Sequence, residues 1–296
     1  MQYLGELSAL LTAFLWSGTS FAFASAAKRI GSLQLNINRM IIASVLLLIT
    51  SITAGFSFLL SFSQIINLTI SGIIGLVLGD TFLFKAFQNI GARLSMLLMA
   101  LSPAMSSIMA FFFLNEKLSL TGLIGIAITI MGIVIVVLER KETPDATYKI
   151  SKIGIVYGLL GALGQAGGLI FAKFAFQEGE LNEMVATFVR IISSAGIILA
   201  GALIMKRYKN PIVLYKKDLK ALGSTVVGTI LGPYLGITFS LIAIANTKVG
   251  IAATLMSMMP IIMLPIVRYV YKEKLKWQAI AGAFIAVAGV AVLFLR

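Results

Sequence analysis

Ten apolar stretches, each near the roughly 20 residues a helix needs to cross a bilayer, divide this chain almost end to end. In lipid a backbone must satisfy its own hydrogen bonds, so runs of this length and spacing take the form of helices. The spacing predicts spans over 4–27, 33–54, 65–84, 94–114 and 120–138 in the first half. In the second half it predicts 153–175, 181–205, 219–243, 249–271 and 277–295. The expected fold class is an all-α membrane protein with ten transmembrane helices. Charged residues make up only 12% of the chain, against about 25% in a soluble domain, too few to cover a soluble surface of this size. One segment, 141–152, reads as a linker, leaving units 1–140 and 153–296. Residues 1–8 hold no Lys or Arg, unlike the start of a cleaved signal, so the first helix is expected to stay.

Three absences narrow the chemistry. The chain has no Cys and no His, which removes thiolate nucleophiles, thiolate metal sites, and the commonest general base and metal ligand. Its 11 carboxylates fall mostly in loops or at helix ends. No enzymatic activity, metal site or cofactor is expected. No Gly-x-x-x-x-Gly-Lys motif occurs, so ATP-driven transport by this chain is not expected either.

The net charge of +13 does not indicate nucleic acid. The basic residues lie between apolar runs, with no interleaved aromatic platform. They report topology instead. Lys28, Arg29, Lys85, Arg93, Arg140, Lys141, Lys149, Lys152 and the cluster from Lys206 to Lys220 fall on one side of a ten-span layout, with Lys272, Lys274 and Lys276. The other side has little beyond Lys117, Lys248 and Arg296. The positive-inside rule then places the basic side in the cytoplasm and both termini outside. A multi-pass protein of a cell membrane, the prokaryotic cytoplasmic membrane in particular, fits this pattern.

The halves repeat. Pro103 and Pro260 stand 157 residues apart, and so do Glu116-Lys117-Leu118 and Glu273-Lys274-Leu275, Gly125 and Gly282, and Gly132 and Gly289. With slightly different shifts, Gly5 and Gly18 pair with Gly154 and Gly167, Arg39 with Arg190, and Gly79 with Gly232. Five spans per repeat is an odd number, so the second copy enters the membrane upside down. Such inverted repeats place a substrate site near the midplane and alternate access by rocking.

The Pro103 helix running into Asn115-Glu116-Lys117-Leu118, followed by Gly125 and Gly132, resembles the EamA-type repeat of the drug/metabolite transporter superfamily. The second half has the same order: Pro260, Lys272-Glu273-Lys274-Leu275, Gly282 and Gly289. Trp16-Ser17-Gly18 is similar to that family's first-helix motif. The resemblance covers nearly the whole chain. It implies a duplicated ten-helix transporter with a central cavity lined by the first four helices of each repeat. It implies no particular substrate, since members move amino acids, sugars, nucleotide precursors and drugs. It also implies cytoplasmic termini, against the charge count. Small four-helix relatives exchange protons at a carboxylate in the middle of the first helix. Here Trp16 takes the middle and Glu6 lies near the end, so that mechanism is not expected.

Polar groups inside a bilayer are costly unless paired or wetted, so each is a functional candidate. Arg39 and Arg190 lie several residues inside equivalent helices. They suit either an anionic-substrate contact or gate, or snorkelling and a structural pair. Asp80 is placed well inside the third span, open to a coupling proton or cation, or to pairing with Arg39 or Lys85. Pro233 stands opposite it in the repeat at the shift that pairs Gly79 with Gly232. Pro103, Pro233, Pro260 and Pro265 remove helix donors and should bend their helices, as gates or as packing kinks. Trp16 and its counterpart Gln165, with Phe84, Ser102, Tyr234 and Met258, are candidates to line a cavity or simply to pack. The Gly125/Gly132 and Gly282/Gly289 spacings suit close helix approach, within the chain or at a dimer contact.

The function expected is a secondary transporter of a small polar or amphipathic metabolite. Its expected partners are that solute, membrane lipids and a coupling proton, in a monomer or homodimer. A non-transporting scaffold or sensor is the alternative, as is a flippase for a lipid-linked substrate, which would have a cavity open to the bilayer.

Overall fold

The computed structural model describes residues 3–113, 119–141, 151–246, 255–269, 272 and 275–294, and every regular element among them is helical. The first half comprises α1 (Leu4–Ile30), α2 (Ser32–Thr53), α3 (Phe62–Gly72), a π-helical stretch Ile73–Gly79, α4 (Asp80–Met99), α5 (Ser102–Phe113) and α6 (Leu120–Lys141). The second comprises α7 (Lys152–Gln177), α8 (Glu183–Ile204), α9 (Pro211–Lys217), α10 (Leu219–Thr229), a second π-helical stretch Ile230–Gly236, α11 (Ile237–Asn246), α12 (Met259–Tyr269) and α13 (Trp277–Phe294). The Glu-Lys-Leu turn at 116–118, Glu273 and Lys274, Lys248, and linker residues 142–150 lie outside the described residues.

Capping residues set where the apolar runs become helix. Ser61 and Gln64 form a reciprocal capping box at α3, and Asn182 accepts from the Met184 and Val185 amides at α8. Asn210 followed by Pro211 starts α9, and Asp218 accepts from the Ala221 amide at α10. Inside the helices many hydroxyls return to carbonyls one turn back, as Thr12 does to Ser8 and Ser17 to Ala13, which satisfies them within an apolar environment.

Seven helices among the described residues are long and apolar enough to cross a membrane, and three shorter apolar ones cover Ser102–Phe113, Met259–Tyr269 and Trp277–Val292. The chain is a multi-pass membrane protein. The three shorter helices fall within the expected spans 94–114, 249–271 and 277–295, and two of these are interrupted among the described residues. Ala100 and Leu101 turn with i→i−3 bonds to Leu97 and Leu98 before α5, and Met258 turns back to Leu255 before α12. Pro103 and Pro260 therefore sit in the first turn of a new helix, where a missing N–H costs nothing, and not in the middle of a kinked one. The third span also runs longer than expected. It continues helically through the π stretch to Ile90, and Gly91 breaks it with φ 77° and ψ 167°, a conformation that suits a residue without Cβ.

Small residues let the helices meet closely. A Cβ on Gly132 would lie 2.3 Å from the Ala286 amide nitrogen and 2.6 Å from the Gly282 carbonyl. A Cβ on Gly289 would lie 2.3 Å from the Thr129 nitrogen and 2.7 Å from the Gly125 carbonyl. These glycines therefore join α6 to α13 within one chain, and they are not free for a dimer contact. The same intimacy joins α7 to the α3–α4 segment through Gly161, Gly164 and Gly168, and α1 to the α10–α11 segment through Gly228, Gly232 and Gly236.

Candidate functional site

A buried polar cluster lies where α2, α4, α7 and α8 meet the first π-helical stretch. The Asp80 N–H donates five residues back, to the Gly75 carbonyl. This wider turn places Asp80 at the head of α4 and turns carbonyls of Gly75 and Leu76 toward side chains. Asn36 donates to the Leu76 carbonyl at 2.9 Å and to Thr81 Oγ1 at 2.8 Å. Its own side-chain oxygen accepts from Arg39 Nε at 2.9 Å. Arg39 Nη2 then donates to Asp80 Oδ2, while Gln165 Nε2 donates to Asp80 Oδ1 at 2.6 Å. Both carboxylate oxygens are thus engaged, by helices from the two halves of the chain.

Aromatic faces enclose the pair. The Arg39 guanidinium lies 5.0 Å from the Phe84 ring centroid and 5.7 Å from that of Phe23, and those rings meet edge to face at 5.2 Å. A desolvated guanidinium gains from aromatic faces. Asp80 is paired with Arg39, not with Lys85, which lies over the Phe82 and Tyr157 rings.

Arg190 enters from α8 and is buried, with Nε and Nη2 lacking any acceptor. It reaches the same π stretch: a Cβ on Gly75 would lie 2.7 Å from Nη2, and one on Gly168 would lie 3.1 Å away. Two glycines on different helices leave the space this guanidinium fills.

The second π stretch lies 157 residues after the first, residue for residue. On this register Gly79 matches Gly236 and Asp80 matches Ile237, where the sequence had aligned Gly79 with Gly232 and Asp80 with Pro233. The structural match rests on backbone bonding, since the Ile237 N–H donates to the Gly232 carbonyl as Asp80 does to Gly75. Pro233 is buried inside this stretch, where an interrupted α pattern tolerates its missing N–H. Trp16 covers it, with Nε1 only 2.4 Å from where a Gly236 Cβ would stand. Tyr234 bonds Thr50 of α2 at 2.8 Å.

Of the residues expected from the sequence, Arg39, Asp80, Phe84 and Gln165 come together, with Arg190 beside them. Trp16, Tyr234 and Pro233 gather at the other π stretch. Ser102 and Pro103 open α5, and Met258 and Pro260 flank the start of α12, where Met259 packs in the same core cluster as Phe84 and Phe23. Asn36, Phe23, Gly75 and Gly168 were not anticipated. Among the described residues no cluster of His, Cys, Asp and Glu could hold a metal.

Near the cluster, but facing outward, is a groove of about 420 Å³ between the first π stretch, α5 and α7. Its walls are apolar, among them Ile74, Leu78, Met109, Leu163 and Phe171, and Leu78 and Leu163 are exposed on the outer surface.

Two stretches of the sequence, residues 3–138 and 152–295, each match the EamA-like transporter family. The chain belongs to the EamA-like transporter family. A solved structure described as "Crystal structure of protein" has the same fold, with a TM-score of 0.68 at 16% identity over 99% of this chain and 96% of that one. No curated protein matches in sequence. As an EamA-like protein the chain falls in the drug/metabolite transporter superfamily, whose members are transporters and not enzymes. The two matched blocks each carry one π-helical stretch, so the helix defect is a property of the EamA-like unit in this chain and not of one half.

Proposed function

We propose that this protein is a secondary transporter that carries a small polar or amphipathic solute through a path between two inverted five-helix repeats. The observation that carries this reading is the reciprocal contact of the π stretches. Each is held by the first helix of the opposite half, the first by Gln165 and Gly164 of α7, the second by Trp16 and Thr19 of α1. Irregular helices facing one another across a repeat interface are where transporters of this kind bind and move their cargo. A rocking of one repeat on the other would break one contact while keeping its twin.

The inverted arrangement also agrees with how the ends pair. Arg29 and Asp218 form an ion pair at 3.0 Å, and Gln34 bonds the Lys209 backbone at 3.0 Å in both directions. These join segments of the basic side. Ser63 and Asn67 bond Glu178, joining segments of the other. The charge distribution supports a cytoplasmic basic side in a cell membrane.

Flux of labelled metabolite pools into proteoliposomes, with and without an imposed pH gradient, tests the proposal. Solute-specific, saturable counterflow is the expected result. Folded protein that gives no flux for any class would overturn it. The outward apolar groove favours a second reading, in which an amphipathic or lipid-linked substrate enters from the bilayer. Replacing Leu163 by Trp would then abolish transport of an amphipathic solute while sparing that of a water-soluble one.

A further inference from the structure

We infer that Arg190 is the anchor for a carboxylate group of the transported solute. The inference rests on the transporter reading above and narrows its substrate class to small monoanionic carboxylates.

The interior carries two guanidinium groups and one carboxylate within mutual reach. Asp80 is fully engaged, since one oxygen takes Arg39 and the other takes Gln165. Arg39 is likewise satisfied, by Asp80, by Asn36 and by two aromatic faces. Arg190 is left over. More than nine-tenths of it is buried, and neither Nε nor Nη2 has an acceptor. Neither the Arg39–Asp80 nor the Arg29–Asp218 ion pair includes it. A buried guanidinium whose Nε and Nη2 lack acceptors is costly for a membrane protein to hold, and such a group is a functional site by default.

Position gives the use. Nε and Nη2 form one edge of the guanidinium, the edge that binds a carboxylate through two parallel hydrogen bonds. Nη2 lies in the notch between Gly75 of the first π stretch and Gly168 of α7. That notch is the junction between the halves. Rocking that separates α7 from the π stretch would open this edge. Arg39, Arg190 and Asp80 together carry a single positive unit in excess, which one carboxylate neutralises and a phosphate dianion overfills.

Thermal unfolding in detergent, with benzoate, benzyl alcohol, benzylamine and inorganic phosphate as probes, tests the assignment without relying on flux. Benzoate should raise the melting temperature, acetate should compete with it and acetamide should not. Arg190→Gln should weaken benzoate at least tenfold, and Arg190→Lys should weaken it less. If Arg190→Gln does not fold, the contrast of benzoate with benzyl alcohol on the unaltered protein decides. Equal shifts with benzoate and benzyl alcohol, tighter binding of phosphate, or unchanged benzoate binding in folded Arg190→Gln would overturn the proposal. So would an Arg190-dependent shift produced by phosphatidylglycerol nanodiscs and not by benzoate. Benzoate binding with no flux of any solute would remove the transporter reading and leave the site standing. Flux indifferent to carboxylates would do the reverse.

Discussion

Arg39 on α2 and Asp80 on α4 form a buried ion pair, and each partner is held in place by a neutral amide, Asn36 for the arginine and Gln165 for the aspartate. Removing one charge leaves the other desolvated. Arg39→Gln or Asp80→Asn alone should destabilise the protein by about 3–5 kcal/mol, and the double replacement by clearly less than the two effects added. Thermal melting of the four proteins in one detergent measures this. Additive losses would mean that the pair is not coupled.

The glycines divide into two groups by the space before them. A Cβ at Gly164 would stand 2.6 Å from Gly79 Cα, and one at Gly289 would stand 2.3 Å from a backbone nitrogen, whereas nothing lies within 4 Å at Gly223. Gly164→Ala and Gly289→Ala should each lower stability by about 1–3 kcal/mol through overpacking. Gly223→Ala should leave stability unchanged or raise it by up to about 1 kcal/mol, the helix propensity gain. The same melting series separates the two groups.

At the basic end, the Ala221 backbone amide and the Arg29 guanidinium hold the Asp218 carboxyl below its ordinary value of 3.8. A group whose pKa is lower folded than unfolded stabilises above the unfolded value and loses that stabilisation as pH falls through the folded one. The melting temperature should therefore decline below about pH 4 in part through Asp218. Asp218→Asn, which still caps α10, should flatten that part of the acid limb. An acid profile identical to that of the unaltered protein would show that Asp218 contributes nothing to it.

Topology can be read with single cysteines, since the chain has none of its own. In intact cells Ser57→Cys should react with an impermeant maleimide, and Lys209→Cys only after permeabilisation. The opposite pattern would overturn the orientation drawn from charge and place the termini in the cytoplasm.

The sequence exposed Arg39, Asp80 and Arg190 because a charge in an apolar run stands out whatever the fold. Gln165 was reachable through the repeat, as the counterpart of Trp16. Asn36 and Phe23 were not, because an amide or a phenyl ring in a helix looks the same whether it faces a guanidinium or a neighbouring leucine. The π stretches were hidden for a different reason. One extra residue in a turn changes which amide meets which carbonyl but not the hydropathy of the run, so Gly75, Gly79, Gly232 and Gly236 showed only as glycines. Glycines recur every few residues in both stretches, so Gly79 could be set against Gly232 as readily as against Gly236, and Asp80 was aligned four residues short of its structural counterpart. The breaks inside two of the spans did not show because apolar composition continues through Ala100-Leu101 and Met258 with little change.

The contact of α6 with α13 maps onto itself when the halves are exchanged: Gly132 meets Ala286 and Gly282, while Gly289 meets Thr129 and Gly125. Each half therefore carries both surfaces of this seam, as a subunit of an isologous pair does. Two separate polypeptides divided at the linker would each carry one side of this seam, complementary to the other's. A larger residue at either seam glycine runs into backbone atoms of the opposite helix, so no trimming of a side chain across the seam makes room for it.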